Sequence, residues 1–233
     1  MEALSAAEWE VLALSLRVSA VAILAVLPFA FALAWVLARW RFPGKVLLDA
    51  LVHLPLVLPP VVTGWLLLLA FGANAPLGRF LADTIGITFL FRWTGAALAA
   101  AVMALPLMVR AMRLSLEAVD RRLESAARTL GAGPWHAFRT VTLPLAMPGV
   151  LAALVLGFAR SIGEFGATIT FASNIPGETR TLPLAIYSAL QVPGGEAQVA
   201  RLAVLSVLLS LAALVASEWL ARRSGHGRGG HVL

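Results

Sequence analysis

Apolar positions along the chain gather into five long stretches, at about 11 to 38, 46 to 72, 94 to 112, 145 to 172 and 199 to 221. Each is near or above the roughly 20 residues a helix needs to cross bilayer hydrocarbon. The pattern predicts an all-α integral membrane protein with about five transmembrane helices. The first stretch follows Glu2, Glu8 and Glu10, not a basic segment, and is too long for a signal-peptide core, so it reads as a permanent span. The second contains LPLVLPPVVTG, with Pro55, Pro59 and Pro60. Each proline removes a backbone donor and disfavours helix just before it, so this span is not one straight helix. In lipid the freed carbonyls need a neighbouring helix or water, which places a broken segment against protein or a cavity. The three prolines are therefore hinge candidates, with a kink that only serves packing as the other reading. Pro28 and Pro106 fall in the first and third spans.

Between the third and fourth spans, residues 113 to 144 carry helix grammar of their own. Asp120 suits an N-cap. Leu123, Ala126, Ala127 and Leu130 recur at helical spacing as a narrow apolar stripe among Arg121, Arg122, Glu124, Ser125 and Arg128. Gly131 or Gly133 supplies a stop, and Pro134 fits the first turn of a second short helix. The prediction is a helix, a tight turn and a second helix lying under the membrane. Small residues on the stripe let another surface approach closely, which suits docking into a partner's groove. The basic residues equally suit a helix resting on anionic lipid. A DNA-reading helix-turn-helix is excluded by the spans on both sides, so no nucleic acid is expected.

Composition agrees with lipid as solvent: 60% of the 233 residues are hydrophobic and 13% charged, with mean hydropathy +0.89. The net charge of +6 is informative through its placement. Arg39, Arg41 and Lys45 follow span 1; Arg110, Arg113, Arg121, Arg122, Arg128 and Arg139 follow span 3; Arg222, Arg223 and Arg228 follow span 5. Basic residues collect on the cytoplasmic side, which predicts the N-terminus outside and the C-terminus in the cytoplasm, as an odd number of spans requires. The organisation is then an extracytoplasmic N-terminus at 1–10, a transmembrane domain at 11–221 and a basic cytoplasmic tail at 222–233. His226 and His231 in that tail belong to a basic segment near anionic lipid, with metal binding as the alternative. The absence of cysteine excludes disulfides and thiolate metal sites. Gly44-Lys45 is followed by Val46 and lacks the upstream glycine of a phosphate-cradling loop, so the chain holds no ATP site of its own. No cofactor or metal is expected on it. No His/Glu metal pattern or Ser-His pairing occurs inside the spans to support an intramembrane enzyme.

Ionisable residues within a span are costly and so point to function. In span 4, Arg160 and Glu164 lie four apart and share a face of a continuous helix, where they neutralise each other. Alternatively, Arg160 lends positive potential to an anion path, with Ser161, Thr168 and Thr170 as hydroxyl donors. After span 4, Leu182 to Leu190 form an apolar stretch well short of a crossing. It reads as an outer gate dipping into the membrane, a docking surface for a solute-binding protein, or a surface-hugging loop helix.

Ala126-Ala127, then Gly131, then Val141-Thr142-Leu143-Pro144 resemble the EAA motif of permease subunits of binding-protein-dependent ABC importers, whose pattern is Glu-Ala-Ala, three residues, Gly, nine residues, Ile-x-Leu-Pro. Two positions depart from it: Ser125 stands where the motif has Glu, with Glu124 one place earlier, and Val141 replaces Ile. The resemblance implies the MetI-like importer fold. It assigns Glu124, Ser125, Ala126, Ala127, Leu130, Gly131, Leu143 and Pro144 to coupling with a separate ATPase. It also implies a homodimer with two ATPase copies, an extracytoplasmic binding protein and a multi-pass position in the cytoplasmic membrane. LVHLPLVLPPVVTG at 51–64, ARTLGAG at 127–133 and FARSIGEFGATITFASNIPGETRTLP at 158–183 resemble the molybdate branch. Sulfate or tungstate is the alternative cargo, since all three are tetrahedral dianions and the binding protein, not a pore, is the part suited to sort them. A secondary transporter working without ATP is the more distant reading, against which residues 113–144 argue.

Overall fold

The computed structural model describes residues 5–225. Its helices are α1 (Ala6–Arg39), α2 (Lys45–Val57), α3 (Pro60–Phe71), α4 (Pro76–Ile85), α5 (Trp93–Ala118), α6 (Arg121–Thr129), α7 (Pro134–Ala137), α8 (Leu143–Ile162), α9 (Gly166–Phe171), α10 (Leu182–Leu190) and α11 (Glu196–Gly225). A π-turn at Phe138–Thr142 joins α7 to α8. No strand occurs among the described residues. Four helical runs are long and apolar enough to cross a membrane, and the pair α2 and α3 makes a fifth when taken as one span bent by 116°. At 1.5 Å per residue α1 is about 50 Å long, so it tilts or projects beyond the hydrocarbon. Its first turn, closed by a capping box between Ser5 and Glu8, already lies within the segment expected as a separate N-terminus. Arg222 and Arg223 likewise fall within α11, while the tail at 226–233, with His226 and His231, lies outside the described residues.

The core is a bundle of α1, α5 and α8 built on small residues. Ala22, Ala30 and Ala34 of α1 face Ala96, Ala97, Ala100 and Ala104 of α5 in one buried cluster. Gly149 of α8 lies directly against Ser115 of α5, and Gly157 against Met108 of α5 and Ile23 of α1. Such residues let backbones approach within dispersion range where lipid offers no hydrophobic driving force. Leu37, Met108, Met112 and Leu116 add larger side chains to the same cluster and are fully buried.

Two expectations change here. The segment from Pro134 is not a separate second helix, because the chain runs as one helical stretch from Pro134 to Ile162. Pro144 cannot donate to the carbonyl one turn back, and the π-turn before it, closed by Leu143 N–H to the Phe138 carbonyl, absorbs that defect without ending the run. The fourth span is also not continuous over 145 to 172, since α8 stops at Ile162 and α9 restarts at Gly166. Glycines on both sides weaken helix there, and the Glu164 carboxylate accepts the Ala167 N–H at 2.9 Å as the new helix begins.

Because a Cβ at Gly149 meets the Ser115 side chain and the Ala111 carbonyl, Gly149→Val is expected to destabilise the fold by about 1–3 kcal/mol. Thermal melting of the purified protein in detergent reads this directly, with Gly133→Ala, where an added Cβ finds open space, expected to leave the midpoint unchanged.

Candidate functional site

Two regions gather the residues of interest. The first is the elbow formed by α6 and α7. Asp120 caps α6 by accepting the Arg122 N–H at 2.9 Å, and Gly131 takes φ +92°, the left-handed stop. The apolar stripe faces outward: Leu130 is 89% exposed and Leu123 and Trp135 are exposed too. Ala127, Leu130, Gly131, Gly133, His136 and Thr140 line a shallow concavity in the crook of the elbow. Leu143 and Pro144 lie farther along, at the start of α8, and do not join this surface. Ser125 donates its hydroxyl back to the Arg121 carbonyl at 3.2 Å. Glu124 instead turns inward, and its Oε1 accepts from Arg39 Nη2 at 2.7 Å and from the Thr142 hydroxyl at 2.6 Å.

The second region is where two broken helices meet. Leu58 and Pro59 separate α2 from α3, and Gly163 to Phe165 separate α8 from α9. An added Cβ at Gly64 falls 2.7 Å from the Ala167 carbonyl oxygen, and one at Gly166 falls 2.7 Å from Pro60 Cβ. The two breaks are therefore pressed together through glycine, with α3 crossing α9. Of the hinge candidates, Pro59 and Pro60 form the bend, while Pro55 lies inside α2 without interrupting it. Arg160 Nη1 stands 2.7 Å from Glu164 Oε2, with Glu164 only 2% exposed. The ion pair forms although Glu164 lies beyond the end of α8, so it bridges the break and does not ride on one helix face. The Ser161 hydroxyl is buried beside it with no hydrogen-bond partner among the described residues. Thr168 is buried in α9, and the Thr170 hydroxyl is spent on the Gly166 carbonyl at 2.9 Å.

Helix α10 has the bounds of the apolar stretch read from the sequence. It packs between α1 and α11, with Leu182, Ala185 and Leu202 sharing a cluster with Leu12. The Leu182 N–H donates to the Ser15 hydroxyl at 2.7 Å. At its other face Tyr187 meets Phe165, the last residue of the α8–α9 break, with ring centroids 5.1 Å apart. A short helix between α1 and α11 thus reaches the break in the fourth span.

Residues 27–226 match the family described as binding-protein-dependent transport system inner membrane component. The chain belongs to this family. It is 60% identical to the molybdenum transport system permease protein ModB of Escherichia coli K12, over 93% of this chain and 95% of that protein. The sulfate transport system permease protein CysT of Salmonella typhimurium LT2 is 43% identical over 70% of this chain and 58% of its own length. Among solved structures, a chain of the MetNI methionine ABC transporter in inward-facing conformations aligns with TM-score 0.67 at 20% identity, covering 93% of this chain and 94% of that one. The fold is therefore that of an ABC importer permease, a multi-pass protein of the inner membrane and a transport subunit.

Within that family frame, sequence reasoning found the exposed apolar stripe on α6 and the span 4 ion pair. It missed Arg39 and Thr142 as partners of Glu124, because Arg39 was legible only as one of many basic residues flanking a span. Breaking the Arg160–Glu164 pair has a readable consequence. Glu164→Leu leaves Arg160 uncompensated and the Ala167 N–H without its acceptor, for an expected loss of about 3 kcal/mol. Glu164→Gln keeps that acceptor and loses less, and Arg160→Met with Glu164→Gln recovers most of the stability. Denaturation of the three variants in detergent checks the order.

Proposed function

We propose that this chain is the membrane-spanning subunit of an ATP-driven molybdate importer, working as a homodimer with two copies of a separate ATPase and an extracytoplasmic molybdate-binding protein. The observation that carries the cargo is the 60% identity to a molybdenum permease over nearly the whole of both chains. The sulfate permease relative, at 43% over a little more than half its length, supports sulfate less well. The arginine distribution supports an N-terminus outside and an elbow in the cytoplasm.

In this reading the exposed stripe Leu123, Ala126, Ala127 and Leu130 is the surface an ATPase covers. Apolar side chains this exposed on a helix outside the spans call for a protein or lipid partner. Closure of the ATPase pair displaces the elbow, and the spans follow between outward-open and inward-open packings whose balance it shifts. The chain binds no cofactor; ATP belongs to the partner. The break where α3 and α9 meet lies on the anion's route. Arg160 and the Ser161 hydroxyl offer donors to a tetrahedral oxyanion, Glu164 holds Arg160 in check, and Thr168 and Thr170 shape the wall. The contact of Tyr187 with Phe165 supports α10 as an outer gate.

The test is uptake of labelled molybdate into vesicles reconstituted with the chain, an ATPase and the binding protein. Uptake is expected to require ATP and to exceed sulfate uptake. Deleting residues 120–134 is expected to abolish co-purification of the ATPase. Molybdate uptake that proceeds without ATP or ATPase removes the importer reading, and preference for sulfate with a sulfate-binding protein alone removes the cargo.

A further inference from the structure

The chain connections of α6 are poor levers. Val119 and Asp120 leave α5 in extended conformation before α6 begins, and Gly131 ends it at positive φ. A push on α6 transmitted only along the chain is absorbed at these two joints, since rotation there costs little. Side chains bridge the gap. Glu124 Oε1 receives Arg39 Nη2 from the end of α1 and the Thr142 hydroxyl from the π-turn that heads α8. Arg121 Nη2 donates to the Arg39 carbonyl at 3.1 Å, one of the free carbonyls at the end of α1. Arg39 is 8% exposed at its side chain and lies 5.5 Å from the Trp35 ring centre, and Trp35 meets Phe138 edge-on at 5.1 Å. One carboxylate therefore ties together α6, the end of the first span and the start of the fourth.

We propose that Arg39 is a positioning residue for energy coupling: through Glu124 it locks the elbow to α1, so that displacement of α6 moves α1 and α8 as one body. This rests on the importer reading above. It also gives the departure from the EAA pattern a consequence. With the carboxylate at 124 in place of 125, the charge points into the chain, and the outward position is left to Ser125.

The experiment uses the complete transporter in vesicles and reads molybdate taken up per ATP hydrolysed. Arg39→Glu is expected to leave the ATPase bound and hydrolysing while that ratio falls about tenfold. The charge-swapped pair Arg39→Glu with Glu124→Arg is expected to recover most of it. Glu124→Gln keeps an acceptor for Thr142 without the charge, guards against misfolding of the reversal, and is expected to lower the ratio by a smaller factor. An unchanged ratio in Arg39→Glu and Glu124→Gln, or a loss that the swapped pair does not mend, overturns the proposal while the importer reading stands. A wild-type preparation that carries no ATPase overturns both.

Discussion

In hydrocarbon, a backbone N–H or carbonyl without a partner costs several kcal/mol, about as much as many whole proteins have to spare. That constraint governs where this chain can stop being helical. The break before α3 is made by Pro59 and Pro60, so the new helix starts with residues that have no N–H to leave unpaired. The break before α9 has no proline and solves the problem with a side chain, the Glu164 carboxylate receiving the Ala167 N–H. The α10 segment solves it a third way, by handing the Leu182 N–H to the hydroxyl of Ser15 on α1. Because each break is closed locally, the two broken spans can be pressed together, Gly64 on Ala167 and Gly166 on Pro60, with the Ala167 N–H still bonded.

The rest of the bundle is arranged around those breaks. Helices α1, α5 and α8 meet through alanine and glycine, which leaves little free volume for sliding and makes them a stiff frame. The bent pair and the α8–α9 break sit outside that frame and are held by fewer buried side chains, Leu67, Ala99, Met103, Ala167 and Phe171 forming their own small cluster. A stiff frame joined to hinged segments is the arrangement in which a rigid displacement at one end becomes an opening at the other.

Much of this was legible in the sequence, for reasons that differ by element. The spans declare themselves by composition, α6 by a cap and apolar spacing, and α10 by a short apolar stretch, all local in the chain. The bend in the second span followed from proline chemistry. The break in the fourth span did not, because Gly163 and Gly166 within an apolar run are common in packed membrane helices, and what makes them a break is the tertiary contact with Pro60 and the new cap from Glu164. The continuity from Pro134 into α8 was hidden for a related reason: a proline in the first turn signals a helix start, and nothing local says that a π-turn will carry the run through Pro144. Arg39 shows the limit most plainly. Its partner lies 85 positions away, and a basic residue at a span end has an adequate explanation in membrane topology before any partner is known.

On the anion route proposed above, the Arg160–Glu164 pair bears on how cargo would be released. An unpaired arginine in a low-dielectric route would hold a dianion in a deep well, and release would become slow. An arginine already neutralised at 2.7 Å by a carboxylate presents donors without a net charge. An oxyanion taking the proposed route would compete with Glu164 for part of the guanidinium and gain only the difference between two similar interactions. The carboxylate cannot follow the anion, because it is also bound to the Ala167 N–H that begins α9. On the proposed route, Glu164 would return Arg160 to its starting position once the anion leaves, and the same side chain that secures the helix start would keep the contact with cargo weak.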